Sequence, residues 1–528
     1  MTECVRSPFG EPGTLTRRSF AVGGVALGTV LGAGRHAKAG RRDDTLNVAF
    51  SREVRTLDAL YSNIRELDIV SLLIDDALFA IDGNTQQVVP LAAKSGELVG
   101  DKAFEIELRD DVLFHDGSRM TADDVVYTLE WMTNDKSGTE YVSRFRSWLE
   151  KAEALSPTRV RISMKSNYAF IRHDLAMYAK IRKKGTYHDA SKPDGIDPNA
   201  TVNRLNGSGP YRVAAFRPGE SLVLERNPAY RSGGPKGTPA IGKISIRIIP
   251  DFTTQASEVL SGGIDWTFGI PTDIAQTISR SGRVQYLAAP SLRVAFIVLD
   301  AMGKIQPNGP LTKLEVRQAL NHATDRDMIV RLEGGRASPV HTSCLPVQFG
   351  CAQDVKNYEF DLKKARDLLT KAGFPNGFDL ELWTGRDRTI VEAIAQMWGR
   401  AGVRVRIRNV PNAALTKALQ EKQVAAYFTT YGSFGIPDAG ALMPDRLGRG
   451  YNSAMHGNVE LEEAILAAQG TFDQNARKTH FRRAVEIMAD NAYWVPVFEY
   501  TQNFLMSPEL AYEQSPDGMP RLFLARWK

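Results

Sequence analysis

Apolar and polar residues alternate along the chain with two periods. Over 104–109 (Phe-Glu-Ile-Glu-Leu-Arg) the alternation is every second residue, so a pleated strand would put Phe104, Ile106 and Leu108 on one face. Segments 160–164, 222–225 and 243–249 read the same way. Between such runs the period lengthens to that of a helix. Thr121-Ala122-Asp123-Asp124 is a capping signal, followed by Val125, Leu129 and Met132 at helical spacing. The clearest stretch is 361–410. Asp361 caps a helix presenting Leu362, Ala365, Leu368, Leu369 and Ala372; Gly373 and Pro375 end it. A strand over 378–383 follows, and Thr389 with Glu392 forms a capping box for a helix presenting Val391, Ile394, Ala395 and Trp398. That helix ends near Gly402, and the next strand covers 403–407. Strand, helix, strand at this spacing is a right-handed crossover between parallel strands. A further strand is predicted over 424–430, entering a Gly-rich loop from Tyr431 to about Asn452. In open parallel sheets ligands sit beyond the carboxyl ends of the strands. The loops 384–388 and 431–440 are therefore the first candidates for a binding site.

The chain has 528 residues, enough for two to four domains, with 43% hydrophobic and 24% charged residues, values of a globular protein. Its formal charge is +5, but residues 1–39 contribute five basic and two acidic side chains to that excess. No basic run is interleaved with aromatics, and no nucleic-acid partner is expected. Arg17-Arg18 opens the apolar, Gly-rich stretch from Ala21 to Gly34, and Ala37-Lys38-Ala39 follows as a small-residue cleavage pattern. The pattern predicts a removable twin-arginine export signal and a periplasmic location. Three cysteines are present, and Cys344 and Cys351 lie beyond the leader. An oxidising compartment predicts a local disulfide between them, with two buried thiols as the alternative. His341 alone joins them, so no metal site is expected.

Seven motifs carry a resemblance over nearly the whole mature chain. They are Phe114-His115-Asp116-Gly117, the run from Met120 to Tyr127, Gly207-Ser208-Gly209-Pro210-Tyr211, the run from Leu260 to Asp265, the run from Val316 to Asn321, the run from Ala365 to Gly377, and Trp494-Val495-Pro496. In this order they resemble the large dipeptide/oligopeptide-binding family of ABC importer receptors, extracellular solute-binding family 5. The resemblance implies an α/β, two-lobed periplasmic-binding-protein fold (type II, cluster C) with an extra α/β domain inserted in the first lobe. The implied boundaries are 1–39 export signal, 40–78 lobe 1, 79–204 inserted domain, 205–290 lobe 1 again, 291–494 lobe 2, and 495–528 the C-terminal part of lobe 1. It implies a monomer that captures a peptide or small-molecule ligand, delivers it to ABC importer permease subunits, and uses no cofactor. The motif residues themselves have structural readings. His115-Asp116-Gly117 is a tight turn and Asp123-Asp124 a helix cap.

Peptide-binding relatives usually hold the ligand's ends with a carboxylate in the loop after the 424–430 strand and, in dipeptide binders, an arginine before the 390–400 helix. Arg388 falls at the arginine position. At the acidic position this chain has Phe434, and only the later Asp438 is available for an ammonium group. Trp383, Tyr431 and Phe434 could floor the pocket, with Gly432 between them, or could be packing. The expected function is capture of a peptide or amino-acid-containing solute. The alternatives are a non-peptide solute in the same fold (an opine-like sugar conjugate, an oligosaccharide or a metal chelate), a receptor that signals, or an exported enzyme. Against the enzyme, the sequence has no Gly-x-Ser-x-Gly elbow and no His-Glu-x-x-His helix.

Overall fold

The period-two segments pair into one large sheet and one small one. The computed structural model describes residues 44–230, 234–433, 435–448 and 455–528. The export signal at 1–39 and Phe434 lie outside them. The large sheet runs, from one edge to the other, Val403–Asn409, Phe378–Thr384, Ala426–Gly432, Gln285–Leu299, Trp494–Met506, Trp266–Phe268, Thr45–Phe50, Lys243–Ile248, Ser221–Arg226 and Tyr211–Arg217.

Two strands in the middle belong to both halves. Gln285–Leu299 and Trp494–Met506 are 15 and 13 residues long and pair antiparallel from Gln285 opposite Met506 to Val298 opposite Trp494. Arg293 to Leu299 also pairs with Ala426–Gly432, whereas Phe504 to Met506 pairs with Trp266–Phe268. One end of the crossing pair is thus built into lobe 2 and the other into lobe 1. The ladder breaks between Pro290 and Val294, where Pro290 has no N–H to offer and Leu292 takes a left-handed φ of 50°. Side chains satisfy the freed backbone there. Ser291 Oγ donates to Tyr500 O at 2.6 Å, and the Leu292 N–H donates to the Glu499 carboxylate at 3.0 Å. This break lies where the strand pair passes from lobe 2 to lobe 1.

Lobe 2 follows the predicted crossover. Phe378–Thr384 pairs parallel with both Val403–Asn409 and Ala426–Gly432, and Asp361 caps Leu362–Lys371 by accepting from the Lys364 N–H at 2.9 Å. Two expectations shift. The crossover helix begins at Arg388, its N-cap Asp387 is left-handed at φ 50°, and Glu392 pairs with Arg388 instead of closing a capping box on Thr389. The last strand is Ala426–Gly432, two residues later than predicted, because its pairing continues to Gly432 opposite Arg293. Apolar clusters fill both faces, around Trp494, Tyr427 and Phe481 on one and Trp398, Leu382 and Phe428 on the other.

The inserted unit is a four-stranded antiparallel sheet in the order Ala93–Val99, Ala103–Leu108, Arg159–Met164, Leu149–Ser156, covered by the helix Ala122–Thr133. Its apolar cluster includes Phe104, Trp131, Trp148 and Ile162, and also Ile436 and Ala441 from lobe 2. Gly207 and Gly209 meet the end of the helix Arg65–Ile74. An added Cβ would lie 2.0 Å from Ile74 O at Gly207 and 2.5 Å from the Ile74 carbonyl carbon at Gly209, so only glycine fits at either place.

A buried ion cluster ties the inserted unit to lobe 1. Arg182, fully buried, reaches Asp75 at 2.7 Å and Asp58 at 2.8 Å, and Asp58 also accepts from Tyr187 and Thr201. Burial pushes the Asp58 carboxyl up, but Arg182 and the other donors hold it net below its usual range. Removing one member leaves uncompensated buried charge, so Arg182→Leu is expected to lower stability by about 3–5 kcal/mol. Urea unfolding followed by tryptophan fluorescence measures this, and an unshifted midpoint would show the cluster to be dispensable.

Candidate ligand-binding site

Beyond the carboxyl ends of the lobe 2 strands, two arginines converge on one hydroxyl. Thr430 Oγ1, on Ala426–Gly432, accepts from Arg386 Nη1 at 2.7 Å and from Arg293 Nη1 at 3.0 Å. Arg386 comes from the loop after Phe378–Thr384, pairs with Asp387 at 3.0 Å and lies over the Tyr500 ring at 5.6 Å. The Tyr500 hydroxyl donates to the same Asp387 carboxylate. Arg293 stands opposite Gly432, where a Cβ would approach its Nη2 to 3.2 Å, so the missing side chain makes room for the guanidinium. Among the described residues Arg293 has no carboxylate partner. Burial, then the charges of Arg386, Arg65 and Arg446, push its pKa down to about 10.

A second group of charges and rings lies in lobe 1 and the inserted unit. Asp68, on Arg65–Ile74, is half-buried, with Arg65 and Lys180 as the cations acting on it. Burial pushes its carboxyl up to about 6, although both cations pull it down. Among the described residues no hydrogen bond reaches that carboxylate. Tyr141 and Tyr178 lie 4.3 Å apart by ring centroid, and Arg144 sits over Tyr178 at 5.0 Å. Arg144 also approaches Asp445 of lobe 2 at 3.7 Å.

The residues singled out from sequence are distributed differently. Arg388 is 69% exposed in its side chain and pairs with Glu392 at 2.7 Å along the helix surface. Arg386, two residues earlier, is the arginine of that loop that turns toward Thr430. Asp438 is 3% exposed, and its two oxygens accept from Arg477 at 3.1 Å each and from the Gly440 N–H at 2.8 Å. Trp383 and Tyr431 are buried in one apolar cluster, the former under Arg408 at 5.0 Å. The Tyr431 hydroxyl donates to Ala441 O at 2.8 Å. Gly432 is the last residue of its strand, against Arg293. Cys344 and Cys351 lie with their Cα atoms 5.9 Å apart, within bridging range. His115, accepted by Gly209 O at 3.1 Å and pushed down to about 4 by burial, is a turn residue. Among the described residues no group of three or more His, Cys, Asp or Glu is placed to hold a metal ion.

The model of bacterial extracellular solute-binding proteins, family 5 (middle) matches residues 87–453. The chain belongs to this family. Similar proteins include the glutathione-binding protein GsiB of Escherichia coli O6:K15:H31 (strain 536 / UPEC), 23% identical over 466 residues, 85% of this chain and 88% of that one. Among solved structures, a dipeptide-binding protein from Pseudoalteromonas sp. SM9913 in complex with Met-Leu superposes with a TM-score of 0.75 at 20% identity, covering 92% of this chain and 100% of that one. NikA from Brucella suis, in complex with Fe(III)-EDTA, gives 0.79 at 20%, with the same coverages.

For a family 5 solute-binding protein, the region between the lobes is where a ligand would meet both halves at once. Sequence reasoning missed Arg293, Asp68 and Arg65. One signal was available for Arg293, a lone charge interrupting the apolar run 292–299. No helix among the described residues is long and apolar enough to cross a membrane.

Two substitutions separate surface from structure. Arg388→Ala is expected to change stability by less than about 0.5 kcal/mol, since exposed helix pairs contribute little. Asp438→Ala, which strands the buried Arg477, is expected to cost about 3–5 kcal/mol. Thermal or urea unfolding of both variants reads the contrast, and equal costs would contradict the assignment.

Proposed function

We propose that this chain is the receptor of an ABC importer that captures a small peptide-type solute between its lobes and presents it to the permease. The observation that carries the proposal is charge of opposite sign, incompletely partnered, on the two lobes. Asp68 offers a carboxylate without a hydrogen-bond partner, and Arg293 and Arg386 offer guanidiniums that already share one hydroxyl. A zwitterion satisfies both ends, and a ligand lacking either charge would leave one desolvated and unpaired. In this reading Asp68 supplies the ammonium contact in place of Asp438, whose oxygens are held by Arg477 and Gly440. Arg386 takes the role expected of Arg388. The relative that binds glutathione is in keeping with such a ligand. Burial of Trp383 and Tyr431 removes the exposed aromatic floor that favoured a sugar.

The export signal belongs to the same proposal. Residues 1–39 would carry the chain across the membrane by the twin-arginine route, be removed there, and leave a monomeric receptor on the outer side. Cys344 and Cys351 would then be oxidised to a disulfide, which non-reducing peptide mapping of exported protein would detect.

Asp68 provides the pH test. Its folded carboxyl lies at about 6 against an ordinary 3.8, so the folded state binds the extra proton between those values. Ligand-free protein is therefore expected to lose stability as pH rises through that window, and Asp68→Asn to abolish this slope. Affinity for a free-amine dipeptide should move the other way, weakening below about pH 6 as the carboxylate is protonated. At pH 7.5 Asp68→Asn should weaken dipeptide binding by roughly a hundredfold while the ligand-free protein melts higher. Calorimetric titration and thermal melts across pH check both limbs. Unchanged affinity in the variant would remove Asp68 from the site.

A further inference from the structure

The inserted unit meets lobe 2 through a contact of its own. Ala169 and Phe170 lie in the turn that leads into the helix Ile171–Met177 of the inserted unit. The Ala169 N–H donates to Gln469 O of lobe 2 at 2.8 Å. Gln469 is the last residue of the helix Val459–Gln469, so its carbonyl is one of those that a helix cannot satisfy from within. Beside this bond Phe170, 1% exposed, rests on Gly440 of lobe 2. A Cβ at Gly440 would lie 2.6 Å from Phe170 Cε2. Gly440 does not take a left-handed φ, so what its missing side chain provides is space for the ring.

The recess that receives Phe170 is built inside lobe 2. The Arg477 guanidinium, held by both Asp438 oxygens, lies 5.0 Å from the Phe349 ring centroid and 5.4 Å from that of Phe481. Phe170 adds a third ring at 5.7 Å, from the inserted unit. A guanidinium is planar and weakly hydrated, and aromatic faces pack on it favourably. Ile436 and Ala441, from the same loop as Gly440, join the apolar cluster of the inserted unit, and Phe472 packs against it. At the rim Arg144 approaches Asp445 at 3.7 Å. Phe170, Gly440 and Arg477 are not among the groups assigned to the solute, and Arg477 already has its carboxylate.

We infer that Phe170 and its recess form a clasp between the inserted unit and lobe 2, which sets how long the receptor stays shut and so tunes affinity without touching the solute. Separating the two units breaks the bond from Ala169 to Gln469 and uncovers Phe170, Ile436 and Ala441. Exposure of that apolar surface opposes opening whatever the solute is. Apparent affinity then rises with the fraction of receptor that the clasp keeps in the shut, binding-competent form. Phe170 is a positioning residue in this scheme. The inference rests on a two-lobed receptor that opens and shuts, and not on the solute being a peptide.

Two variants, one from each side, test the clasp in ligand-free protein. Gly440→Ala wedges a methyl group beneath Phe170, and Phe170→Leu removes the ring while keeping an apolar side chain. Spin labels on the inserted unit and on lobe 2 report the distance between them. The wild type is expected to show a shut population, and each variant to lower the ratio of shut to open by roughly tenfold. Hydrogen exchange is the second readout. The Ala169 amide should exchange through opening of the clasp, faster than the amides of the strand Arg159–Met164. In Gly440→Ala it should exchange about tenfold faster again, with that strand unchanged. A wild type without a shut population, or distances unaltered by both variants, would overturn the clasp. So would an Ala169 amide that exchanges as slowly as the strand, since the contact would then be permanent packing. Neither readout uses a solute, so failure of the peptide reading leaves this test standing, and failure of the clasp leaves that reading untouched.

Discussion

Everything in this molecule is hung on one pair of antiparallel strands that belongs to two lobes at once. Because Gln285–Leu299 and Trp494–Met506 are zipped together on both sides of the hinge, neither lobe can leave the other, yet the ladder is interrupted between Pro290 and Val294. At that level Ser291 and Glu499 take over from backbone pairing. A bulge is a cheap place to bend, since the hydrogen bonds that would resist bending are already carried by side chains. The same break aims Arg293 out of the ladder toward Thr430 and Gly432.

Around that hinge the protein uses its charges in two ways. Buried pairs with complete partners, Arg182 with Asp58 and Asp75, or Arg477 with Asp438, join elements from distant parts of the chain and leave no valence for a ligand. Their desolvation is offset only by full mutual bonding, which makes them structural. Two other charges are different in kind. Arg293 and Asp68 are substantially desolvated but incompletely partnered, and burial shifts both toward their neutral forms. Such groups destabilise the empty protein, and a complementary ligand recovers the lost interaction.

Membership of solute-binding family 5 accounts for the architecture. Much of the local detail lies in the loop after Ala426–Gly432. There Asp438 turns inward to Arg477, Ile436 and Ala441 join the apolar cluster of the inserted unit, and the Tyr431 hydroxyl closes on Ala441 O. The loop works as a packed bridge between lobe 2 and the inserted unit. With its acid so occupied, Asp438 has no oxygen left over for a ligand.

The sequence by itself determined the alternating strands, the capped helix at 362–371, the parallel crossover of lobe 2 and the family, because these depend on local periodicity, caps and glycine stops that are written in neighbouring residues. Even the small errors there were local. The crossover helix started two residues early because Asp387 could adopt a left-handed cap, and the strand 426–432 ran two residues further because Arg293 was waiting opposite Gly432. What only the tertiary structure decided was which charges remain available. Asp438 and Asp68, or Arg388 and Arg386, are indistinguishable as residue types. Their roles separate only when residues 39 positions apart (Arg477) or 137 apart (Arg293 with Thr430) meet them. Whether a charge is satisfied is a property of the whole fold, since it depends on partners that the chain brings from far away.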